Sequence, residues 1–350
     1  MKKTTSLLLA LSMLLVLLSG CGNSAEKYPN GEVNVLNWGE YIDESVLEEF
    51  SAQYGIAVNY KTCPDNETLY SNLMSGDSYD VIIPSDYMLS RLIEEDLLEP
   101  LDFANIPNVS DVDPKFLNAP YDPSGAYSVP YMWGTVGIIY NTALVTGEIT
   151  SWADLFDEQY AGQVLMINNP RDAIGLALKH LGYSYNTTDQ SQISEAVDLL
   201  VTQKSKGIVQ AYVMDEIFEK LEGGEAAIGV YYAGDYLTML ENNPDLAFCI
   251  PAEGSNYFVD AMCVPKVAVN KTNAETFINF MCTTDVGLRN CGAIGYSTPL
   301  MSVYDTLDDA TRSDPVAYPS DTVLASCEQF VNLPQDTLAF YDSEWLRLKI

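Results

Sequence analysis

The sequence predicts an α/β protein of two lobes, with helices covering a parallel sheet. Short β-like runs alternate with amphipathic helical runs along most of the chain, and a β-α-β-α-β order implies parallel strands covered by helices. The roughly 320 residues beyond the N-terminal leader and tether exceed what one hydrophobic core usually serves. Hydrophobic residues make up 47% of the chain, too large a share for a disordered one.

The elements follow in order. Lys2 and Lys3 precede the apolar stretch Ser6 to Leu18, which is too short for a good membrane span and reads as a signal peptide over residues 1–20. Leu18-Ser19-Gly20-Cys21 resembles a bacterial lipobox, which implies cleavage before Cys21 and lipid on its thiol. An ordinary signal peptide with a cysteine nearby is the plainer alternative. Residues 21–30 then form a polar tether.

Val33–Asn37 reads as a strand and Asp43–Gly55 as a helix. That helix has acids in its first turn, an apolar face of Val46, Leu47, Phe50 and Tyr54, and Gly55 as its stop. Ile56–Tyr60 is a second strand, Asn66 a candidate helix cap, and Asp80–Pro84 a buried strand stopped by Pro84. The Pro-, Asn- and Asp-rich tract 101–128 reads as an irregular surface excursion. Tyr127–Asn141 resumes strand character and carries the chain into the second lobe. There Ser151 and Asp154 mark a capped helix start, Gln163–Asn168 a buried strand, Asp172–Tyr183 a helix, and Ala226–Asp235 a strand. Asn256–Asp260 and Ala261–Val269 return the chain to the first lobe. The expected division is 31–136 plus 262–305 for the first lobe and 137–261 plus 306–350 for the second.

Composition excludes some functions. The formal charge is −32, and without Lys2 and Lys3 the remaining 15 basic residues against 49 acidic ones leave −34. So acidic a chain does not bind nucleic acid, and it attracts cations over long range. Most of these acids serve solubility alone. Six cysteines other than Cys21 permit disulfides, but none has CxxC spacing, so isolated buried thiols are an equal reading. One histidine, His180, and unclustered thiols argue against a zinc site. No phosphate-cradling loop, dinucleotide fingerprint or GxSxG elbow is present. His180 lies among Leu176, Leu178 and Leu181 in a helix pattern and reads as structural. Paired carboxylates of a glycosidase kind stay open by count, with no two singled out as acid and base.

What recurs is an acid beside aromatics where strands end. Trp38, Glu40 and Tyr41 follow the first strand; Ser85, Asp86 and Tyr87 follow Pro84. Tyr231, Tyr232 and Asp235 form another set, Tyr257, Phe258 and Asp260 another, and Asn169 and Asp172 a fifth. Each alone fits a core aromatic, but the repetition at matching positions suggests a ligand cleft, since open parallel sheets bind ligands beyond the carboxyl ends of their strands. The chemistry fits a polyamine. Ring faces cover methylenes and attract ammonium groups at roughly 0.5–2 kcal/mol per contact, and a carboxylate accepting from an ammonium adds about 1.5–3 kcal/mol. A neutral sugar needs fewer acids. An amino acid needs an arginine for its carboxylate, and the one nearby, Arg171, adjoins Asp172.

With these motifs in place, the chain resembles the spermidine/putrescine-binding proteins of bacterial ABC importers over nearly all of its length beyond the leader. The resemblance runs in order through Asn37–Ile42, Tyr79–Leu89, Tyr127–Thr135, Thr150–Phe156, Leu181–Asp189, Tyr257–Pro265 and Ile294–Pro299. It implies a two-lobed type II periplasmic-binding-protein fold, with the ligand cleft between lobes joined by crossing strands. Trp38 and Tyr41 match the family's aromatic wall, and Glu40 an acid that reads an amine. Ser85 and Tyr87 match polar and aromatic contacts, Asp172 an acid of the second lobe, and Asp260 the acid that anchors a nitrogen. Tyr232 and Phe258 stand where tryptophan is common, and Asp235 matches an acid of the putrescine-preferring branch. Gln329 matches a polar contact near the C-terminus, and Tyr296 lines the cleft. Asn169 stands where many relatives have aspartate and Gly39 where they have a hydroxyl residue, so both bear on preference. Putrescine spans roughly 6 Å between nitrogens and spermidine roughly 11 Å in extended bond geometry.

The resemblance thus implies a monomeric, exported, lipid-anchored binding subunit on the outer side of the cytoplasmic membrane. It would take putrescine, spermidine or both, use no cofactor or metal, catalyse nothing, and dock on membrane permease subunits. Hinge strands are expected near Gly134–Gly137 and Asp260–Val264. A binding protein for another organic cation, such as a quaternary amine or a cationic peptide, is the alternative.

Overall fold

The computed structural model describes residues 27–350. The leader, Cys21 and most of the tether lie outside the described residues. Among the described residues ten strands alternate with helices in the order the periodicity predicts; eight form one continuous path of β2-β1-β3-β10-β5-β8-β6-β7, while β4 pairs with β10 and β9 with β5 at its sides.

The first half opens with β1 (Glu32–Trp38), α1 (Ser45–Tyr54), β2 (Ala57–Cys63), α2 (Asn66–Met74), β3 (Val81–Ile82) and α3 (Asp86–Glu94). Strand β1 pairs in parallel with both β2 and β3. Helix α1 stops where expected. Gly55 takes the left-handed conformation at φ 64°, and its N–H bonds to the Ser51 carbonyl at 3.0 Å. The cap of α2 is Asp65 rather than Asn66, with Oδ1 accepting from Thr68 N at 2.6 Å. Asn66 instead turns its side chain to Ser85, donating to Oγ and accepting from N. The expected buried strand over 80–84 shortens to two paired residues, although the N–H groups of Asp80 and Ile83 still bond to Asn34 O and Leu36 O of β1.

After β4 (Leu98–Glu99), three short 3₁₀ turns occupy the irregular tract, and β5 (Ser128–Asn141) follows. The second half contains β6 (Val164–Ile167), α4 (Pro170–His180), α5 (Gln190–Ser205), β7 (Val209–Val213), α6 (Glu216–Glu222), β8 (Ile228–Tyr232), α7 (Ala233–Asn242) and β9 (Leu246–Cys249). Strand β6 is parallel to β7 and β8. The capped start at Ser151 is a 3₁₀ turn, Trp152–Phe156, with a complete capping box between Ser151 and Asp154. The chain returns through β10 (Tyr257–Pro265), which runs antiparallel to β3, β4 and β5. Helices α8 (Lys271–Met281) and α9 (Thr284–Ile294) follow, then short turns and a last helix, α10 (Gln335–Lys349).

Two hydrophobic cores form. One gathers Val33, Phe50, Ile82, Leu89, Met132, Met262 and Phe277; the other gathers Ile138, Trp152, Leu165, Leu176, Leu200 and Val230. Strand β5 passes from one to the other. Thr135 pairs with Tyr257 of β10, whereas Val136 pairs with Tyr232 of β8. Tyr318, Leu324 and Phe330 pack with the first core and Leu333 with the second, so the tract 306–350, expected wholly with the second lobe, is shared between the cores. His180 stacks on Phe156 with ring centroids 5.1 Å apart. The cysteines from Cys63 to Cys327 are all free thiols.

Asp80, fully buried, ties the first half together. Its carboxylate accepts from the backbone and side chain of Asn34 and of Asn270, and from Val269 N, at 2.8 to 3.1 Å. Removing it strands several buried donors. Asp80→Ala therefore costs about 3–5 kcal/mol in urea unfolding; a loss below 1 kcal/mol contradicts the assignment.

Candidate functional site

Between the two cores lies a cleft holding about 750 Å³ of space, solvent at its mouth included. The topology builds it. Strands β1 and β3 of one half and β6 and β8 of the other all end at it, so residues just beyond their carboxyl ends face one another. Trp38 and Tyr41 follow β1, and Ser85 and Tyr87 follow β3. Asn169 and Asp172 follow β6, and Asp235 follows β8, whose last residue is Tyr232. Strand β10 adds Phe258 and Asp260, and the loop after α9 adds Tyr296.

Two of the acids sit in helix first turns. Asn169 caps α4, its Oδ1 accepting from Arg171 N at 3.0 Å, which leaves Asp172 in that turn. Asp235 stands likewise in α7, not in a strand as its sequence context suggests. A helix N-terminus favours negative charge, which helps each acid to be carried inside. Gly234 makes room for the neighbouring Tyr296, since a Cβ there would collide with the Tyr296 ring.

Three of the cleft acids are each held by a tyrosine. Tyr41 Oη donates to Asp260 Oδ2 at 2.6 Å, Tyr296 to Asp235 Oδ2 at 2.8 Å, and Tyr232 to Asp172 Oδ2 at 3.2 Å. The other oxygens of Asp172 and Asp260, both Oδ1, are buried and accept no hydrogen bond among the described residues. Burial accordingly pushes all three carboxyls up. Asp172 rises to about 7, with Glu67 and Asp260 adding to burial while Tyr232 and Arg171 oppose it. Asp235 rises to about 8, helped by Asp215 and Glu40 and opposed by Tyr296. Asp260 rises to about 6, burial outweighing the nearby Ser85 hydroxyl, which makes no hydrogen bond to Oδ1, and the Tyr41 hydroxyl that holds Oδ2.

The walls are aromatic. Tyr41 meets Tyr296 edge-on at 4.7 Å, Tyr232 meets Phe258 at 5.4 Å, and Phe258 lies 6.2 Å from Tyr296. Arg171 does not form an ion pair with Asp172, as its adjacency suggests. Its buried guanidinium lies over the rings of Tyr87 and Phe330, at 5.0 and 4.5 Å, and bonds to Val331 O and Asn186 Oδ1. Among the described residues none of Asp172, Asp235 and Asp260 has a cationic partner within ion-pair distance.

Glu40 and Gln329 are not brought in. Glu40 has φ 46°, a left-handed turn residue, so that Trp38 and Tyr41 point inward while Glu40 is exposed and lines an adjoining hollow with Phe218, Glu222 and the cleft acid Asp235, on whose carboxyl it acts from outside the cleft. Gln329 precedes Phe330, and of the two it is Phe330 that reaches the cleft. Sequence reasoning missed Asn66, Asp215 and Asn256, which line it too. Asp215 carried a signal, since it follows the short strand Val209–Val213 just as the other acids follow their strands.

Two lobes, a cleft across their strand ends and a strand that crosses between them define a solute-binding protein of the type II periplasmic-binding fold. A family model described as bacterial extracellular solute-binding protein matches residues 45–319. The spermidine/putrescine-binding periplasmic protein of Salmonella typhimurium is 33% identical over all of this chain and 99% of its own length. That of Escherichia coli K12 is 32% identical over 94% of this chain and 93% of its own. Among solved structures, a putative spermidine/putrescine ABC transporter from Listeria monocytogenes superposes with a TM-score of 0.88 at 37% identity, covering 91% of this chain and 99% of that one. The chain belongs to the family of bacterial extracellular solute-binding proteins that contains these spermidine/putrescine-binding relatives. The family is an exported one.

Because the cleft carboxyls are held above their unfolded values, the folded ligand-free protein binds more protons than the unfolded chain. Its stability is greatest below pH 4 for these groups and is lost as pH rises through about 6 to 8. Ligand-free melting temperature therefore falls between pH 5 and pH 9, and the fall is shallower in Asp172→Asn. An equal fall in the variant contradicts the account.

Proposed function

We propose that this protein is the substrate-binding subunit of a polyamine ABC importer, taking putrescine, spermidine or both. One observation carries the reading: Asp172 and Asp260 are buried in an aromatic cleft, each with one oxygen held by a tyrosine and the other unpartnered. A bare buried carboxylate oxygen calls for a cationic donor. A quaternary amine has no N–H to give it, whereas a primary ammonium has three. The ring faces of Tyr232, Phe258 and Tyr296 suit the methylenes between nitrogens. The names of the relatives in Salmonella typhimurium and Escherichia coli agree with this ligand class.

Of the residues expected to bind, Trp38, Tyr41, Ser85, Tyr87, Asn169, Asp172, Tyr232, Asp235, Phe258, Asp260 and Tyr296 carry the site. The lobes are 31–136 with 262–305 and 137–261 with the C-terminal helix, hinged at Gly134–Gly137 and Asp260–Val264. Ligand shifts the population toward closure because only the closed form touches it from both sides. The chain acts as a monomer anchored by lipid on Cys21, delivers its ligand to membrane permease subunits, and catalyses nothing.

Putrescine or spermidine raises the melting temperature in a thermal-shift assay, because a ligand that binds only the folded form stabilises it. In calorimetry Asp260→Asn weakens both by more than tenfold; unchanged affinity in the variant sinks the site. Trp38, the sole tryptophan lining the cleft, reports closure, so Trp38→Ala loses most of any ligand-induced fluorescence change. A full signal in that variant means the change arises elsewhere.

A further inference from the structure

We propose that Asp215 is a further ligand-binding residue, admitted to the cleft by the absence of a side chain at Gly39, and that with Asp235 it holds one terminal ammonium of the polyamine. This rests on the reading of the cleft as a polyamine site and names the groups at one of its ends.

The two residues come from opposite halves. Gly39 follows β1, and Asp215 follows β7 at the start of α6. Tyr231 Oη donates to Asp215 Oδ1 at 2.9 Å. The second oxygen accepts no hydrogen bond among the described residues, and it lies 2.7 Å from the place a Cβ on Gly39 would occupy. Any larger residue at position 39 must push this carboxylate away. Both residues line the cleft, beside Trp38.

The charges then fall into two sets. At one end Glu67 and Asp260 act on Asp172, and Asp172 and Asp260 act together on Tyr232. At the other, Asp215 and Asp235 act together on Tyr231, and Asp215 acts on Asp235. The rings of Tyr232, Phe258 and Tyr296 link the two ends, and the Tyr231 ring touches that of Tyr232 at 4.9 Å. Asn169 is an amide whose oxygen is spent on capping α4, so it brings no charge to the cleft. Asp215 does. Two neighbouring carboxylates repel each other, and an ammonium between them relieves that repulsion. Asp235 is buried, but Asp215 is exposed at the mouth, so its share is the smaller one.

The test is a set of variants of the full chain, titrated with putrescine and spermidine by calorimetry. Asp215→Asn keeps the packing against Gly39 and removes the charge; it weakens binding by about fivefold. Asp215→Ala does the same. Gly39→Ser weakens binding by displacing the carboxylate, and in the Asp215→Ala background it costs less than twofold, because the group it displaces is gone. That non-additivity is what a merely structural role would not give. Affinities within twofold of the parent in both Asp215 variants overturn the proposal, as do fully additive costs for Gly39→Ser and Asp215→Ala. If the parent binds and Asp260→Asn does not, while both Asp215 variants bind as the parent does, this proposal fails and the polyamine reading stands. If the parent binds neither polyamine, both fail.

Discussion

A tyrosine hydroxyl that holds one oxygen of a buried aspartate, and leaves the other bare, is the interaction on which this cleft depends. It occurs at Tyr41–Asp260 and Tyr232–Asp172. The hydroxyl fixes the carboxylate's direction and offsets part of its desolvation, yet being neutral it leaves the charge uncompensated. Arg171, the one buried cation near these acids among the described residues, is spent on aromatic faces and carbonyl oxygens. The cleft is thus electrostatically incomplete, and burial holds its carboxyls up. A ligand that brings ammonium groups completes it.

The fold makes this arrangement possible. Parallel strands from the two halves of the sheet end at one place, and helices α4 and α7 begin there with an acid in the first turn. Their N-termini tolerate negative charge that bare burial alone would expel. Strand β5 changes partner between Thr135 and Val136 and so passes from one core to the other. Acids from both halves then face one space, and a cation can draw the halves together.

Much of this was legible in the sequence, for physical reasons that differ from site to site. The alternation of β-branched runs with capped, amphipathic helices gave the parallel order, and the acid-plus-aromatic pattern marked strand ends at Trp38, Asp172, Tyr232 and Asp260. What misled was local backbone geometry. Glu40 sits between two cleft aromatics in sequence, but a left-handed φ turns it out to solvent. Gln329 is one residue from Phe330, which takes the place expected for it. Arg171 looked like a partner for Asp172, yet its ring stacking depends on Phe330, about 160 residues away, which no spacing reveals. Asp215 followed a strand, Val209–Val213, that is only half-buried and so reads less clearly than the others.

If uncompensated carboxylates are what the ligand satisfies, binding must change their protonation. The direct measurement is calorimetric titration of putrescine at pH 7 in buffers of differing ionisation enthalpy, repeated at pH 9. Groups held near 6 to 8 in the free cleft carry protons at pH 7 that a dication displaces. The account predicts proton release on binding at pH 7 that declines by pH 9. Binding that releases no protons at either pH would contradict it.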